Sequence, residues 1–97
     1  MGSNHPISEI EDNKDRNFVT ALARGLDVLR SFRPHETLLS NAEMATRTGL
    51  PKPTVSRLLH TLCKLDYVSF DEATGNYRLS AGVLSLGFGV ISGMEIA

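Results

Sequence analysis

The 97-residue sequence predicts a mainly α-helical fold with a small β-hairpin. Up to about residue 65, apolar residues recur at helical spacing in segments separated by helix-capping and turn residues. After that point the pattern alternates with a period of two around a Gly-Asn turn, which is typical of paired strands. We therefore expect three helices, a hairpin and a further apolar segment, in that order.

Charge is unevenly distributed along this chain. The net charge of −1 excludes a generally basic protein of the histone type, and the length suffices for one small domain with tails. No acidic residue lies between positions 43 and 66, although four basic residues do: Arg47, Lys52, Arg57 and Lys64. A locally positive surface of this kind favours an anionic partner despite the overall charge.

The N-terminal residues 1–17 mix charges of both signs with few large apolar groups, so we expect a flexible arm. They contain no apolar core of the kind that a secretion signal needs, which predicts a cytoplasmic protein. The single cysteine, Cys63, cannot form an internal disulfide and is consistent with a reducing compartment.

The first predicted helix covers the segment "FVTALARGLDVLRSF". Leu22, Leu26 and Leu29 recur there at spacings of four and three, which predicts that they form one buried face. Pro34 follows and is expected to end the helix.

The second predicted helix begins at Ser40. Ser40 and Glu43 have the spacing of a capping box, in which each side chain bonds a backbone N–H at the helix start. Gly49 is expected to end the helix in the left-handed conformation.

The third predicted helix covers residues 52–65, within and after "TGLPKPTVSRLLHTL". At about 100° per residue, its apolar half contains Val55, Leu58, Leu59, Leu62, Cys63 and Leu65. Its polar half contains Thr54, Ser56, Arg57, His60, Thr61 and Lys64. Either Pro51 or Pro53 can occupy the first helical position, where proline is tolerated.

Together the second and third helices meet the requirements of a helix-turn-helix motif. Ala45 is a small residue where the two helices should touch, and Gly49 makes the turn. Val55 and Leu58 have the spacing needed to attach the third helix to the core. The hairpin that follows adds a wing, so the prediction is a winged helix-turn-helix followed by a linking helix.

The expected domain limits follow from this assignment. The winged helix-turn-helix covers residues 18–80, with the helix-turn-helix at about 40–62 and the wing at about 67–79. Residues 81–97 are apolar almost all round and too short for a membrane span, so we expect them to pack on a second subunit or on another domain.

In a helix-turn-helix, the N-terminal part of the second helix enters the major groove of DNA. The residues expected closest to DNA are Lys52, Pro53, Thr54, Ser56 and Arg57. Arg57 is the candidate for base readout, because a guanidinium can bond guanine through two atoms. Thr54 and Ser56 can bond phosphates or base edges, and the Thr54 methyl or the Pro53 ring can lie against a thymine methyl.

Other basic side chains are better suited to phosphate contacts. We expect Lys52, Arg47 and Arg78 of the hairpin to fix the register on DNA in this way. His60 is either a DNA contact or a solvent-exposed helix residue.

Residues for catalysis or metal binding are not evident. His60 and Cys63 are three apart, as two metal ligands on a helix can be, but the sequence supplies no third ligand nearby. We therefore interpret Cys63 as a buried thiol and expect neither an enzyme nor a cofactor.

Four segments together resemble one known family: "ALARGLDVLRSF", "TGLPKPTVSRLLHTL", "DYVSFDEATGNYRLS" and "GVLSLG". They resemble the N-terminal DNA-binding domain of the IclR family of bacterial transcription regulators. The resemblance implies a linking helix used in dimerisation and a larger C-terminal domain, absent here, that binds a small metabolite and shifts DNA affinity. It also implies a roughly palindromic operator read by paired recognition helices.

This chain departs from the family pattern at two positions. Pro53 replaces a small residue and lacks a backbone donor, and Asp66 stands where glycine is usual before the first wing strand. The alternative hypothesis is a winged-helix module for protein interactions, favoured by the near-neutral total charge and by the acidic wing loop "DEATGN".

Overall fold

The computed structural model describes residues 15–94. The elements follow the predicted order: α1 Thr20–Arg30, α2 Asn41–Thr48, α3 Lys52–Lys64, β1 Val68–Asp71, β2 Asn76–Leu79 and α4 Ala81–Gly93. The predicted mainly α-helical fold with one hairpin is therefore confirmed. The predicted flexible arm lies almost entirely outside the described residues.

One apolar core joins α1, α2, α3 and β1. Its fully buried side chains are Val28, Met44, Val55, Leu59 and Val68. Each such side chain contributes about 1.5–3 kcal/mol relative to an exposed one. The packing of these side chains fixes the angle between the helices, and it therefore determines which surface of α3 is exposed.

The prediction that Leu22, Leu26 and Leu29 form the buried face of α1 is wrong. Leu22 and Leu26 are 63% and 41% exposed, whereas Ala23 and Val28 are buried. Both sides of this helix carry apolar residues at helical spacing, so periodicity alone could not select the side that faces α3. Only Leu29 of the predicted set packs against the core.

Helix α2 begins and ends largely as predicted. The Ser40 hydroxyl accepts a hydrogen bond from the Glu43 N–H at 3.0 Å. The other half of the capping box is replaced, because the Glu43 carboxylate accepts from Arg47 instead. Gly49 has a φ of +75°, and its N–H donates to the Ala45 carbonyl at 2.9 Å.

Neither proline occupies the first position of α3. Pro51 is the N-cap residue with a φ of −62°, Lys52 is the first helical residue and Pro53 the second. Proline is tolerated at the second position because N–H groups in the first turn have no intrahelical acceptor. Leu65, predicted to lie on the buried face, follows the last helical residue and is 58% exposed.

A tight turn joins the end of α3 to β1 and also supports the start of α4. Asp66 has a φ of +65°, a conformation that explains why glycine fits this position. Its carbonyl accepts from the Gly82 N–H at 2.9 Å. A Cβ on Gly82 would lie 2.7 Å from that carbonyl oxygen and 2.5 Å from the Tyr67 ring, so the second position of α4 requires glycine.

The wing is an antiparallel hairpin in which Val68 pairs with Leu79 and Phe70 with Tyr77. Gly75, at a φ of +76°, allows the chain to reverse. The structure adds a pairing that the sequence did not predict. Leu39, in the segment before α2, exchanges two backbone hydrogen bonds of 2.9 Å with Tyr77.

Helix α4 exposes most of its apolar side chains. These include Leu84, Leu86, Phe88, Val90 and Ile91, each more than half exposed. None of the helices within residues 15–94 combines the length and hydropathy that a membrane crossing requires.

Candidate nucleic-acid interface

The turn at Gly49 sets α3 across α2 with its polar side facing outward. Met44 of α2 and Val55 of α3 are fully buried at the junction of the two helices, and Ala45 and Leu58 pack beside them. The sequence predicted structural roles for Ala45, Val55 and Leu58; Val55 belongs to the apolar core, and Ala45 and Leu58 pack against it. Seven α3 residues are exposed: Lys52, Pro53, Ser56, Arg57, His60, Thr61 and Lys64. Thr54 is half-buried among them.

The cations of α3 lack acidic partners within residues 15–94. The ion pairs of this part of the chain join Arg47 and Arg78 to carboxylates and leave Lys52, Arg57 and Lys64 without one. An unpaired exposed cation can bind an external anion without first releasing an internal one. This property separates α3 from the other predicted phosphate contacts.

Arg47, which the sequence predicts as a phosphate contact, is paired within the protein. Its side chain is only 13% exposed, and Nη1 and Nη2 donate to the two oxygens of Glu36 at 2.6 and 2.8 Å. Nη1 also donates to the Ser31 carbonyl at 2.7 Å, and Nε donates to Glu43 at 3.1 Å. With its guanidinium committed in this way, Arg47 connects α2 to the loop after α1, and this structural role is the alternative to the predicted phosphate contact.

The pKa values of Glu36 and Arg47 reflect the ion pair between them. The hydrogen bond from Arg47, assisted by the Arg33 N–H, lowers the pKa of Glu36 from 4.5 to about 2. The hydrogen bond to Glu36 in turn raises the pKa of Arg47. Both groups are therefore charged throughout the pH range in which the protein would function.

Arg78 lies on β2 and is exposed, but it is not unpaired. Its Nη2 donates to the Asp71 carboxylate at 3.1 Å. The other Asp71 oxygen accepts from the Thr74 hydroxyl at 2.6 Å and from the Thr74 N–H at 3.1 Å. These bonds, that of the Thr74 hydroxyl first, lower the pKa of Asp71. Asp71 therefore both organises the wing turn and neutralises its arginine.

Ser56 makes a contact that sequence analysis missed. The Asn41 side-chain amide, at the first position of α2, donates to the Ser56 hydroxyl oxygen at 2.6 Å. This bond joins the first turn of α2 to the second turn of α3 on the surface predicted to face DNA. An Asn directly after an N-cap serine is a local sequence feature, but nothing in its spacing indicates a partner fifteen residues away.

Cys63, one of the two residues with metal-ligand spacing, has a half-buried thiol. Burial raises the pKa of the half-buried Cys63 thiol. Within residues 15–94, no three or more His, Cys, Asp or Glu side chains form a group that could hold a metal ion.

Comparison with known proteins identifies the family. The model of the IclR helix-turn-helix domain matches residues 21–72. The Pca regulon regulatory protein of Pseudomonas putida is 41% identical over 83 residues, which cover 86% of this chain and 28% of that protein. An HTH-type transcriptional regulator of Comamonas testosteroni is 46% identical over 72 residues, or 74% of this chain and 26% of that protein.

A solved structure agrees with the sequence matches. The crystal structure of an IclR family transcriptional regulator from Brucella abortus superposes with a TM-score of 0.82 at 50% identity, covering 96% of this chain and 35% of that one. The chain thus spans about a quarter to a third of the length of these relatives. The matched residues contain α2, α3, the first wing strand and all of α1 except Thr20. The chain belongs to the IclR family, and its matched segment is the helix-turn-helix domain of that family.

Proposed function

We propose that this chain binds double-stranded DNA through the N-terminal part of α3, as the DNA-binding domain of a bacterial transcription regulator. The observation that carries the proposal is the set of unpaired cations on the exposed side of α3. Relatives named as regulators of transcription support it.

Roles within α3 follow from position and chemistry. Arg57 reads a base, because its guanidinium is exposed and has no acidic partner among the described residues. Lys52, at the first helical position, binds phosphate. Thr54, Ser56 and the Pro53 ring complete the contact with DNA, and His60 lies at its edge.

The complete regulator is proposed to act in the cytoplasm as a homodimer. The exposed apolar surface of α4 supports pairing, because an apolar helix of this kind gains stability when another protein surface covers it. Two copies would read a roughly palindromic operator with half-sites about one helical turn, or a multiple of it, apart. We also expect α4 to lead to a domain that binds a small metabolite, since the chain spans only 28% of the Pseudomonas putida relative.

Salt dependence tests the DNA-binding proposal. The 97-residue chain is titrated with short mixed-sequence duplexes at several salt concentrations, next to Lys52→Ala. Phosphate binding releases counterions, so affinity should fall steeply with salt, and loss of Lys52 should reduce the slope by about one unit. Lys64→Ala is the matched control, because it removes the same charge at the far end of the same helix.

The expected result is a smaller slope for Lys52→Ala and an unchanged slope for Lys64→Ala. A chain that fails to bind at low salt is retested as a covalently joined dimer, which supplies the pairing that a short piece can lack. Binding that is absent in the joined dimer, or that does not respond to salt, would overturn the proposal.

A second candidate function is a winged-helix module for protein interactions. The specific observations in its favour are the neutralised Arg78 of the wing and the exposed apolar residues of α4. This function predicts salt-insensitive association with protein and no DNA binding by the joined dimer, so the same titration separates the two.

A further inference from the structure

The Ser56 hydroxyl differs from three of the four threonine hydroxyls of α2 and α3. Thr46, Thr48 and Thr61 each donate to the backbone carbonyl four residues earlier, at 3.1, 2.8 and 3.4 Å. Such back-bonding is the usual arrangement for a hydroxyl inside a helix. The Ser56 oxygen instead accepts from the Asn41 amide at 2.6 Å.

This contact determines what the Ser56 hydroxyl can still do. A hydroxyl has one donor and two acceptor sites, and the Asn41 amide uses one acceptor site. The O–H proton is not committed to a carbonyl within residues 15–94, and the residue is exposed. The hydroxyl is therefore held in place with its proton available to an external acceptor.

Stability alone does not explain the presence of Asn41. Its Oδ1 is buried without a hydrogen-bond partner among the described residues. An unsatisfied buried acceptor destabilises a fold, so an apolar side chain of similar size would serve packing better. What the amide provides is the donor to Ser56.

We propose that Asn41 is a positioning residue that holds the Ser56 hydroxyl so that its O–H donates to an acceptor on DNA. This proposal rests on the proposed function. Asn41 itself does not contact the DNA acceptor; its influence passes through Ser56. The bond thereby couples the first turn of α2 to a side chain of α3 that contacts the ligand.

A double-mutant cycle tests this coupling. Asn41→Ala and Ser56→Ala are made singly and together, and affinity is measured for a duplex that the wild-type chain has selected from a random-sequence pool. Asn41→Ala should weaken binding by about fivefold when Ser56 is present, the effect of one lost hydrogen bond. In the Ser56→Ala background it should weaken binding by less than about twofold.

Asn41→Asp supplies a readout that a purely structural role would not give. A carboxylate at the first position of α2 favours the helix dipole, so the melting temperature should stay the same or rise. The carboxylate accepts the Ser56 proton, however, so DNA affinity should fall by at least the fivefold expected for Asn41→Ala. In the Ser56→Ala background, Asn41→Asp can weaken DNA binding only through charge repulsion. That loss of affinity is subtracted from the loss measured when Ser56 is present.

The outcomes separate the two proposals. If the wild-type chain, also as a joined dimer, selects no duplex, the proposed function itself fails. If the wild type selects DNA but Asn41→Ala has the same effect with and without Ser56, the positioning role is overturned. A loss of affinity that follows a loss of melting temperature in all variants would likewise overturn it.

Discussion

Helix α3 and the wing both expose basic side chains, but the two regions differ in what those side chains contact. Lys52, Arg57 and Lys64 of α3 have no carboxylate partner among residues 15–94, and α3 itself contains no acidic residue. In the wing, Arg78 bonds Asp71 at 3.1 Å, and Glu72 adds a second negative charge at the tip. Pairing, rather than the number of basic residues, therefore determines which surface is available to an anion.

The same distinction applies to Arg47, whose guanidinium is committed to Glu36, Glu43 and the Ser31 carbonyl. It lies in the helix-turn-helix but resembles the wing arginine in being paired. We therefore expect paired arginines to affect folding or local order, and the unpaired cations in the N-terminal part of α3, Lys52 and Arg57, to affect DNA affinity.

The largest effect is expected for Arg47→Ala. Its removal leaves Glu36 and a backbone carbonyl without their donor, and hydrogen bonds to charged groups contribute about 1.5–3 kcal/mol each. The free energy of unfolding, measured with urea, should fall by about 2–3 kcal/mol. Arg47→Lys is the control: it keeps the charge but loses the two-pronged geometry, so most of the loss should remain.

DNA binding by the folded fraction of Arg47→Ala should keep the wild-type salt slope. An unfolding curve identical to that of the wild type, together with a reduced salt slope, would contradict the structural role and restore Arg47 as a phosphate contact.

The next effect concerns Arg57→Ala in comparison with Arg78→Ala. Loss of a two-atom contact to guanine should cost about 1–3 kcal/mol of binding free energy and relax sequence preference at one base position. Arg78→Ala should change affinity by less than about twofold, because its charge is already offset by Asp71. Selection from a random-sequence pool measures preference, and titration measures affinity. Equal losses for both variants would remove the distinction between α3 and the wing.

Local rules predicted much of this structure. The polar and apolar sides of α3, the capping role of Ser40 and the left-handed Gly49 follow from contacts within a few residues, which sequence spacing encodes. The exposed candidates Lys52 and Arg57 were predictable for the same reason.

Contacts between distant segments could not be predicted in this way. Arg47 meets Glu36 eleven residues away, and Asn41 meets Ser56 fifteen residues away. Which side of α1 faces the core depended on where α3 packs, so the Leu22 face was assigned wrongly. A sequence shows that a side chain is charged; only the folded chain shows whether that charge already has a partner.

Acid should weaken the ion pair between Glu36 and Arg47 in a defined pH window. The pKa of Glu36 falls from 4.5 to about 2 in the folded protein, so the unfolded chain takes up the proton first as pH decreases. The stabilisation is complete above pH 4.5 and is lost as pH falls towards about 2. Melting temperatures across this window should decline less steeply for Glu36→Gln than for the wild type. Parallel curves for the two proteins would show that Glu36 does not contribute to the pH dependence of stability. The slope that remains in Glu36→Gln includes the contribution of Asp71, whose pKa is also lowered.

The smallest effect is expected when the wing is made to resemble α3. Asp71→Asn keeps an oxygen that can accept from Thr74 but removes the charge that neutralises Arg78. Because an exposed ion pair contributes little to stability, the hairpin should remain folded. The released arginine would then be available to phosphate, so affinity at low salt should rise by about twofold and the salt slope should steepen by up to about one unit. Asp71→Asn combined with Arg78→Ala is the control, since it removes the released cation and should return the slope to its wild-type value. If Asp71→Asn leaves both affinity and slope unchanged, the wing does not approach the DNA backbone, and α3 alone carries the electrostatic contact.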